Sequence, residues 1–234
     1  MLKTKKNIEK ILDLLYLYFF DKYYKVNGKK YFNRALKLLK KELQIYNCEI
    51  IDFTDKFLDL KPVLHQDLLA YEKNDPSYNI IDEIVFTSPG LYAIMSYRVA
   101  NILYKKNVRI IPRMMTEIVH FKTGIDIHPG ATIGSGFFID HGTGVVIGQT
   151  TIIGCNVKIY QGVTLGALSL KDGNKLRNSK RHPTIGNNVT IYANASILGG
   201  NTIVEDNITI GANDFIIKSI NKNTYVSNKK GENL

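Results

Sequence analysis

From Gly124 onward an aliphatic residue returns at six-residue intervals: Ile127, Ile133 and Ile139, then Ile147, Ile153, Ile159 and Leu165, then Ile185, Ile191 and Ile197, then Val204, Ile210 and Ile216. Neither the helical period nor simple strand alternation produces this spacing. A six-residue period matches one flat side of a triangular parallel β-helix, in which the aliphatic side chain points inward and small residues turn each corner. Three sides make a coil of about 18 residues, so roughly four coils are expected between 124 and 220. Each coil pairs its backbone only with its neighbours, and the stack behaves as a quasi-one-dimensional solenoid.

Residues 1–123 follow a different period. Ile8, Ile11, Leu15 and Tyr18, then Leu36, Leu38, Leu39 and Leu43, have helical spacing, with Pro62, Pro76, Pro89 and Pro112 at breaks or first turns. Ser88-Pro89-Gly90-Leu91 reads as a serine cap followed by an N1 proline, opening a helix with Ala93, Ile94, Tyr97 and Ala100 on its apolar positions. A further helix is expected over Ile110 to Phe121. The domain reading is therefore a helical oligomerisation or capping domain over 1–123, a β-helix over 124–220 and a tail over 221–234.

With 234 residues and 44% hydrophobic content the chain can bury a core without disulfides or metals. Its two cysteines, Cys48 and Cys155, are too far apart and too unpatterned for a disulfide framework or a zinc cluster. The apolar run Leu14 to Phe20 follows Lys3, Lys5 and Lys6, but Asp13 interrupts it and Asp21-Lys22 end it without a cleavage site, so it reads as an amphipathic helix. No stretch reaches the roughly 20 apolar residues of a membrane span, and a cytoplasmic location is expected. The formal charge of +10 comes from scattered residues with no nucleic-acid-binding module, so a solvated basic surface and a polyanionic small-molecule ligand both account for it.

The hexapeptide period fails at three places, where extra residues must leave the prism. Two residues are surplus between Ile139 and Ile147, in Asp140-His141-Gly142-Thr143-Gly144. A long basic loop over 169–184, containing Lys171 through His182, is extruded between Leu165 and Ile185. One more residue is absorbed at Gly199-Gly200-Asn201. Two of the chain's five histidines, His141 and His182, fall in these interruptions. Counting sides puts Asp126 one coil beneath Val146, at the far end of the His141 bulge, from where a carboxylate could orient the imidazole as a general base. The spacing is equally compatible with a histidine that decorates a bulge and an aspartate that caps a turn.

At these residues the chain resembles the serine O-acetyltransferase family of hexapeptide-repeat acyltransferases. The resemblance runs through Gly124-Ile125-Asp126-Ile127-His128-Pro129-Gly130-Ala131, Phe138-Ile139-Asp140-His141-Gly142-Thr143-Gly144, Tyr160-Gln161-Gly162-Val163-Thr164-Leu165-Gly166 and Lys180-Arg181-His182-Pro183-Thr184-Ile185-Gly186. It includes Asp75-Pro76-Ser77, Tyr97-Arg98 and Ile197-Leu198-Gly199-Gly200, and covers most of residues 75–217. It implies an α+β fold, an all-helical N-terminal domain followed by a left-handed parallel β-helix; the handedness comes from the family and not from the spacing.

The activity implied is acetyl transfer from acetyl-CoA to the hydroxyl of L-serine, a step of cysteine biosynthesis. His141 is then the general base and Asp126 its partner, Asp75 and Asp140 ligands of the serine ammonium, and Arg181 and His182 the clamp on its carboxylate. Gly166 and Ala167 are candidate donors to the oxyanion, the pantetheine arm lies near Ala193 and Gly199, and Lys218 is a candidate for the 3′-phosphate. No metal is expected. Neither cysteine nor any serine occupies an interruption beside a base, which favours direct transfer over an acyl-enzyme.

The His141 bulge and the Arg181-His182 loop leave the prism at different corners, separated by a six-residue side of roughly 20 Å at strand rise. They meet if one belongs to a neighbouring chain, which predicts a homotrimer with sites between subunits and, by resemblance, hexamers through the helical halves. Three features depart from the common family pattern. Gln149, at a substrate-site position, stands where many members have Glu, removing a negative charge close to the bulge; the 165–185 loop is long and basic; and Lys229 to Leu234 replaces the terminal isoleucine that in the family docks into O-acetylserine sulfhydrylase, leaving that partnership open. The rival readings are a homoserine or sugar acceptor, a metal-dependent hydratase using His120, His128 and His141, and a non-catalytic trimeric scaffold.

Overall fold

In the computed structural model, residues 2–48, 53–169, 171, 173–177, 179–221 and 225–226 are described. The N-terminal half consists of α1 (Leu2–Phe19), α2 (Asp21–Tyr24), α3 (Gly28–Ile45), α4 (Thr54–Leu58), α5 (Leu60–Asn74), α6 (Ile81–Thr87), α7 (Pro89–Lys105) and α8 (Ile111–Thr123). The periodic residues of α1 are buried, and α1 packs on α3 through Leu39 and Leu43. Ser88 caps α7, its Oγ accepting from Leu91 N at 3.1 Å with Pro89 in the first turn, and Ala93, Ile94, Tyr97 and Ala100 are all buried. No helix among the described residues is long and apolar enough to cross a membrane.

Gly124 ends α8 in a left-handed cap, φ 73°, and the chain enters the β-helix directly. The first sheet is β1 (Asp126–Ile127), β4 (Val146–Ile147), β7 (Thr164–Gly166), β10 (Ser196–Leu198) and β13 (Phe215–Ile216). The second is β2 (Thr132–Ile133), β5 (Ile152–Ile153), β8 (Thr184–Ile185) and β11 (Ile203–Val204); the third is β3 (Phe138–Ile139), β6 (Lys158–Ile159), β9 (Thr190–Ile191), β12 (Thr209–Ile210) and β14 (Tyr225–Val226). All neighbours are parallel, and each of the thirteen periodic aliphatics pairs with the one a coil away, as in Ile127↔Ile147↔Leu165↔Ile197↔Ile216. Every one of the thirteen is buried, at 8% exposure or less. The coils wind left-handed, against the usual right-handed crossover preference. The corners use residues that tolerate positive φ, among them Asn156, Asn188 and Asn207 in one column.

The first coil has no coil beneath it, and its open edge is met by side chains of α5 and α7. Arg98 donates to the carbonyls of Ile133 and Gly134, Tyr97 Oη to that of Ala131, Asn101 Nδ2 to those of Pro129 and Ala131, and Tyr71 Oη to that of Ile139. Asp67 accepts from Phe137 N and is bound to Arg98 through both carboxylate oxygens, at 2.6 and 2.8 Å. Burial pushes the Asp67 carboxyl up, and the guanidinium pulls it back down. Backbone groups that would otherwise face an apolar helical layer unpaired are thereby satisfied.

The segment from 221, read as a tail, supplies Tyr225–Val226 as a further parallel strand on β12. Its two strand residues are too few for any periodic pattern to register. Lys229 to Leu234 lie outside the described residues, as do 170, 172 and 178 of the long loop.

Candidate active site

The first sheet has two long edges, and the candidate residues divide between them. The His141 bulge joins β3 of the third sheet to β4 of the first, while the 165–185 loop joins β7 of the first to β8 of the second. The two interruptions therefore sit at different corners, as the spacing requires.

At the entry corner, the two surplus residues force His141 into the left-handed region, φ 54°, with Gly142 and Gly144 also at positive φ. Its side chain is 71% exposed, with Nε2 3.8 Å from Asp140 Oδ1. Asp140 is fixed by its own N–H, which donates to Ile159 O. One coil up stands Tyr160, stacked on Tyr192 at 5.1 Å between centroids and edge-on to Phe138 at 6.5 Å. Burial pushes the Tyr160 hydroxyl's pKa up, and the neighbouring Tyr192, Asp140 and Asp75 push it further in the same direction. The phenol thus lies in the field of two carboxylates from distant parts of the chain. Asp75 ends α5, its Oδ1 accepting from the N–H and hydroxyl of Ser77 in a tight turn. Sequence reasoning missed Tyr160; the register Ile139↔Ile159, which puts position 160 above 140, was the available signal.

Asp126 pairs in register with Val146, so the coil counting is correct. Within this chain, however, its Oδ1 accepts from Arg113 Nη1 at 3.1 Å, and the carboxylate within 4 Å of His141 is that of Asp140. Arg113 reaches Glu117 with its other terminal nitrogen. Nothing in the spacing pointed to Arg113, because it sits on α8 and meets Asp126 only through the packing of that helix on β1. Among the described residues the histidines 120, 128 and 141 form no cluster at ligand distance; the group that comes together is Glu117, His120 and Asp126, with the Arg113 guanidinium already neutralising both acids. Cys155 is exposed at the corner between second and third sheets, remote in topology from either half-site.

At the exit corner, Arg181 and His182 are held against their own chain by Thr150, whose hydroxyl accepts from both backbone N–H groups at 2.9 and 3.1 Å. Thr150 N donates to His182 Nδ1 at 3.1 Å, which places the ring proton on Nε2. Burial, then the charges of Arg181 and Lys180, lower the His182 pKa to about 4, so the ring is a neutral N–H donor at pH 7. Lys180 Nζ ties the loop down by donating to the carbonyls of Thr150, His182 and Pro183. Two glycines make room: a Cβ on Gly148 would fall inside the His182 ring, and one on Gly200 inside the Lys180 carbonyl.

Gln149 belongs to this corner too. Its Oε1 accepts from Arg181 Nη2 and its Nε2 donates to Tyr104 Oη at 2.7 Å. Within one chain Gln149 and the His141 bulge stand at different corners, since β4 carries the chain across the first sheet between the two. Beside Tyr104, the imidazole of His128 is lowered to about 4 by burial first and by Arg113 second.

The candidate acetyl-CoA residues also divide. Gly166 ends β7 and accepts from Gly199 N at 3.0 Å, and the register Leu165↔Ile197↔Ile216 puts Ala167, Gly199 and Lys218 in successive coils on the exit edge. Ala193 lies at the opposite, entry edge, its carbonyl accepting from Asn213 N.

No protein-family model matches the chain. It is 43% identical over 178 residues to a plasmid-borne serine acetyltransferase of Synechococcus elongatus, a match covering 75% of this chain and 56% of that protein. It is 45% identical over 163 residues to a serine acetyltransferase of Staphylococcus epidermidis, covering 70% of this chain and 73% of that one. Among solved structures it matches serine acetyltransferase isoform 3 of Entamoeba histolytica in complex with cysteine, with TM-score 0.86, 33% identity and 96% of this chain and 83% of that chain covered. A serine acetyltransferase in complex with CoA matches with TM-score 0.67 and 29% identity over 82% of this chain and 73% of that chain. Soybean serine acetyltransferase complexed with serine matches with TM-score 0.62 and 32% identity over 70% of this chain and 69% of that chain. With a relative 45% identical matched over 73% of its own length and solved relatives of the same fold, the chain belongs to the serine acetyltransferase family.

Proposed function

We propose that the protein transfers the acetyl group of acetyl-CoA to the hydroxyl of L-serine, giving O-acetyl-L-serine and CoA, at sites formed between the entry corner of one subunit and the exit corner of the next. The observation that carries this reading is the division of charge between the two edges of the first sheet. Asp75 and Asp140, which suit an ammonium, lie with His141 on one edge, and Arg181, which suits a carboxylate, lies on the other. An amino acid engages both edges only when a second chain is present, which favours a trimer with the first sheets facing its axis. Hexamers through the helical halves remain a proposal from family resemblance.

In this mechanism His141 removes the serine hydroxyl proton as the oxygen attacks the thioester carbonyl carbon. The tetrahedral intermediate then collapses, the C–S bond breaks, and the CoA thiolate takes the proton back from His141. Asp126 is assigned as the partner of the imidazolium by the family resemblance; in this chain Arg113 donates to its Oδ1, and among the described residues its other oxygen accepts no hydrogen bond. His182, neutral and protonated on Nε2, serves as an N–H donor to developing negative charge and not as a second base. Gly166, Ala167 and Gly199 offer an edge that a pantetheine arm can approach closely, with Lys218 above it for the 3′-phosphate. The acceptor matches the complex of the soybean relative with serine, and the donor matches the relative solved with CoA.

His141→Ala is expected to lower the rate of thiol release from acetyl-CoA with serine by at least about 100-fold. Parent-like turnover would remove His141 from the mechanism. Mixing inactive His141→Ala and Arg181→Ala subunits by unfolding and refolding together is expected to restore about a quarter of parental activity, the fraction of sites that random assortment completes in a closed ring. No recovery in verified mixed oligomers would refute a site shared between chains.

A further inference from the structure

One cleft among the described residues lies at neither edge of the first sheet. It has a volume of about 590 Å³, within the range of small-molecule sites. One wall is the outer face of α5. The other is the corner between second and third sheets, over three successive coils. Helix α5 packs on the prism at β3 and at the neighbouring Phe137 N, and the cleft lies between its outer face and the coils beyond.

The lining has a definite chemistry. Lys73 reaches in from the helix and Lys158 from β6, on facing walls, and among the described residues neither has a hydrogen-bond or ion-pair partner. Between them lie neutral polar groups, including Gln66, Asn156, Asn188 and Thr190, and no carboxylate lines the cleft. What sets Lys73 and Lys158 apart from the chain's other unpaired lysines is their placement on opposite walls of one concavity. Two unpaired ammonium groups facing each other across a concavity repel, and an anion between them turns that repulsion into attraction on both sides. The amides add donors that a phosphoryl oxygen accepts from without regard to direction.

We propose that this cleft is a binding site for a small phosphoryl-bearing anion, separate from the acetyl-donor and serine sites, with Lys73 and Lys158 as its charged ligands. It accounts for part of the basic excess that the catalytic residues leave unexplained. The proposal does not depend on the catalytic reading, since the cleft shares no residue with either edge of the first sheet.

The test is calorimetric titration of the full chain with inorganic pyrophosphate in the presence of saturating CoA, which fills any phosphate subsite of the donor. One pyrophosphate per chain is expected to bind, Lys73→Gln and Lys158→Gln are each expected to weaken it by about tenfold, and the double variant to abolish it while CoA affinity and melting temperature stay at parental values. Adenosine 5′-monophosphate, titrated in parallel, distinguishes an ester from an inorganic anion; tighter binding of either through the same lysines supports the site. No binding, binding undiminished in the double variant, or binding that disappears once CoA is saturating would each overturn it.

Discussion

At the scale of single residues, the exit corner depends on one hydroxyl and one imidazole. Thr150 takes two backbone N–H groups of the loop and gives its own N–H to His182, so the ring is fixed in one tautomer. The pKa of about 4 at both His182 and His128 has a consequence for stability. The unfolded histidines bind protons near pH 6.5 and the native ones do not until about 4, so the unfolded state gains protons first and stability falls as pH drops through that window. Melting temperature is expected to decline from pH 6.5 towards 4.5, and His182→Gln to decline less steeply between pH 6.5 and 5. Parallel curves for parent and variant would show that the ring is not held neutral. Gln149 bridges two partners of opposite need: the amide accepts from Arg181 and donates to Tyr104 at once, whereas a carboxylate in its place would have only acceptors to offer.

At the scale of elements, the long loop is held to the prism by the absence of side chains as much as by hydrogen bonds. Gly148 lies under the His182 ring and Gly200 under the Lys180 carbonyl. In Gly148→Ala the added methyl must displace the imidazole, so His182 loses its Thr150 contacts and the clamp moves with it. Serine KM is expected to rise at least about tenfold with little change in melting temperature, because the displaced group is a loop and not the core. A variant with parental KM would mean that the His182 position is immaterial to serine. The bulge before β4 works in the opposite way: two inserted residues lift His141 out of the ladder while Ile139 and Ile147 keep their places in it.

At the scale of the whole molecule, the join between helical and β-helical halves is a layer of side chains that finish the first coil's hydrogen bonds. Its centre is the Arg98–Asp67 pair, with side chains 6% and 0% exposed. Arg98→Ala leaves Asp67 buried without its guanidinium and strips the Ile133 and Gly134 carbonyls of a donor. A loss of about 3–5 kcal/mol in unfolding free energy is expected from denaturant titration. A loss below about 1 kcal/mol would show that water replaces the pair at little cost.

The amino-acid sequence by itself determined the prism, because a buried aliphatic every sixth residue matches the flat sides of a β-helix, and the thirteen positions found by counting all lie in strands and are all buried. The same counting located the three interruptions and put Asp126 beneath Val146, since all of these are distances along one chain in one register. What only the tertiary structure decided involves partners that no period links. Arg113 reaches Asp126 because α8 packs on β1, Tyr160 feels Asp75 because α5 ends beside the third sheet, and Gln149 faces Arg181 because the loop folds back on its own corner. A repeat reports the interactions it repeats; contacts between a helix and a coil occur once, and depend on how two surfaces fit.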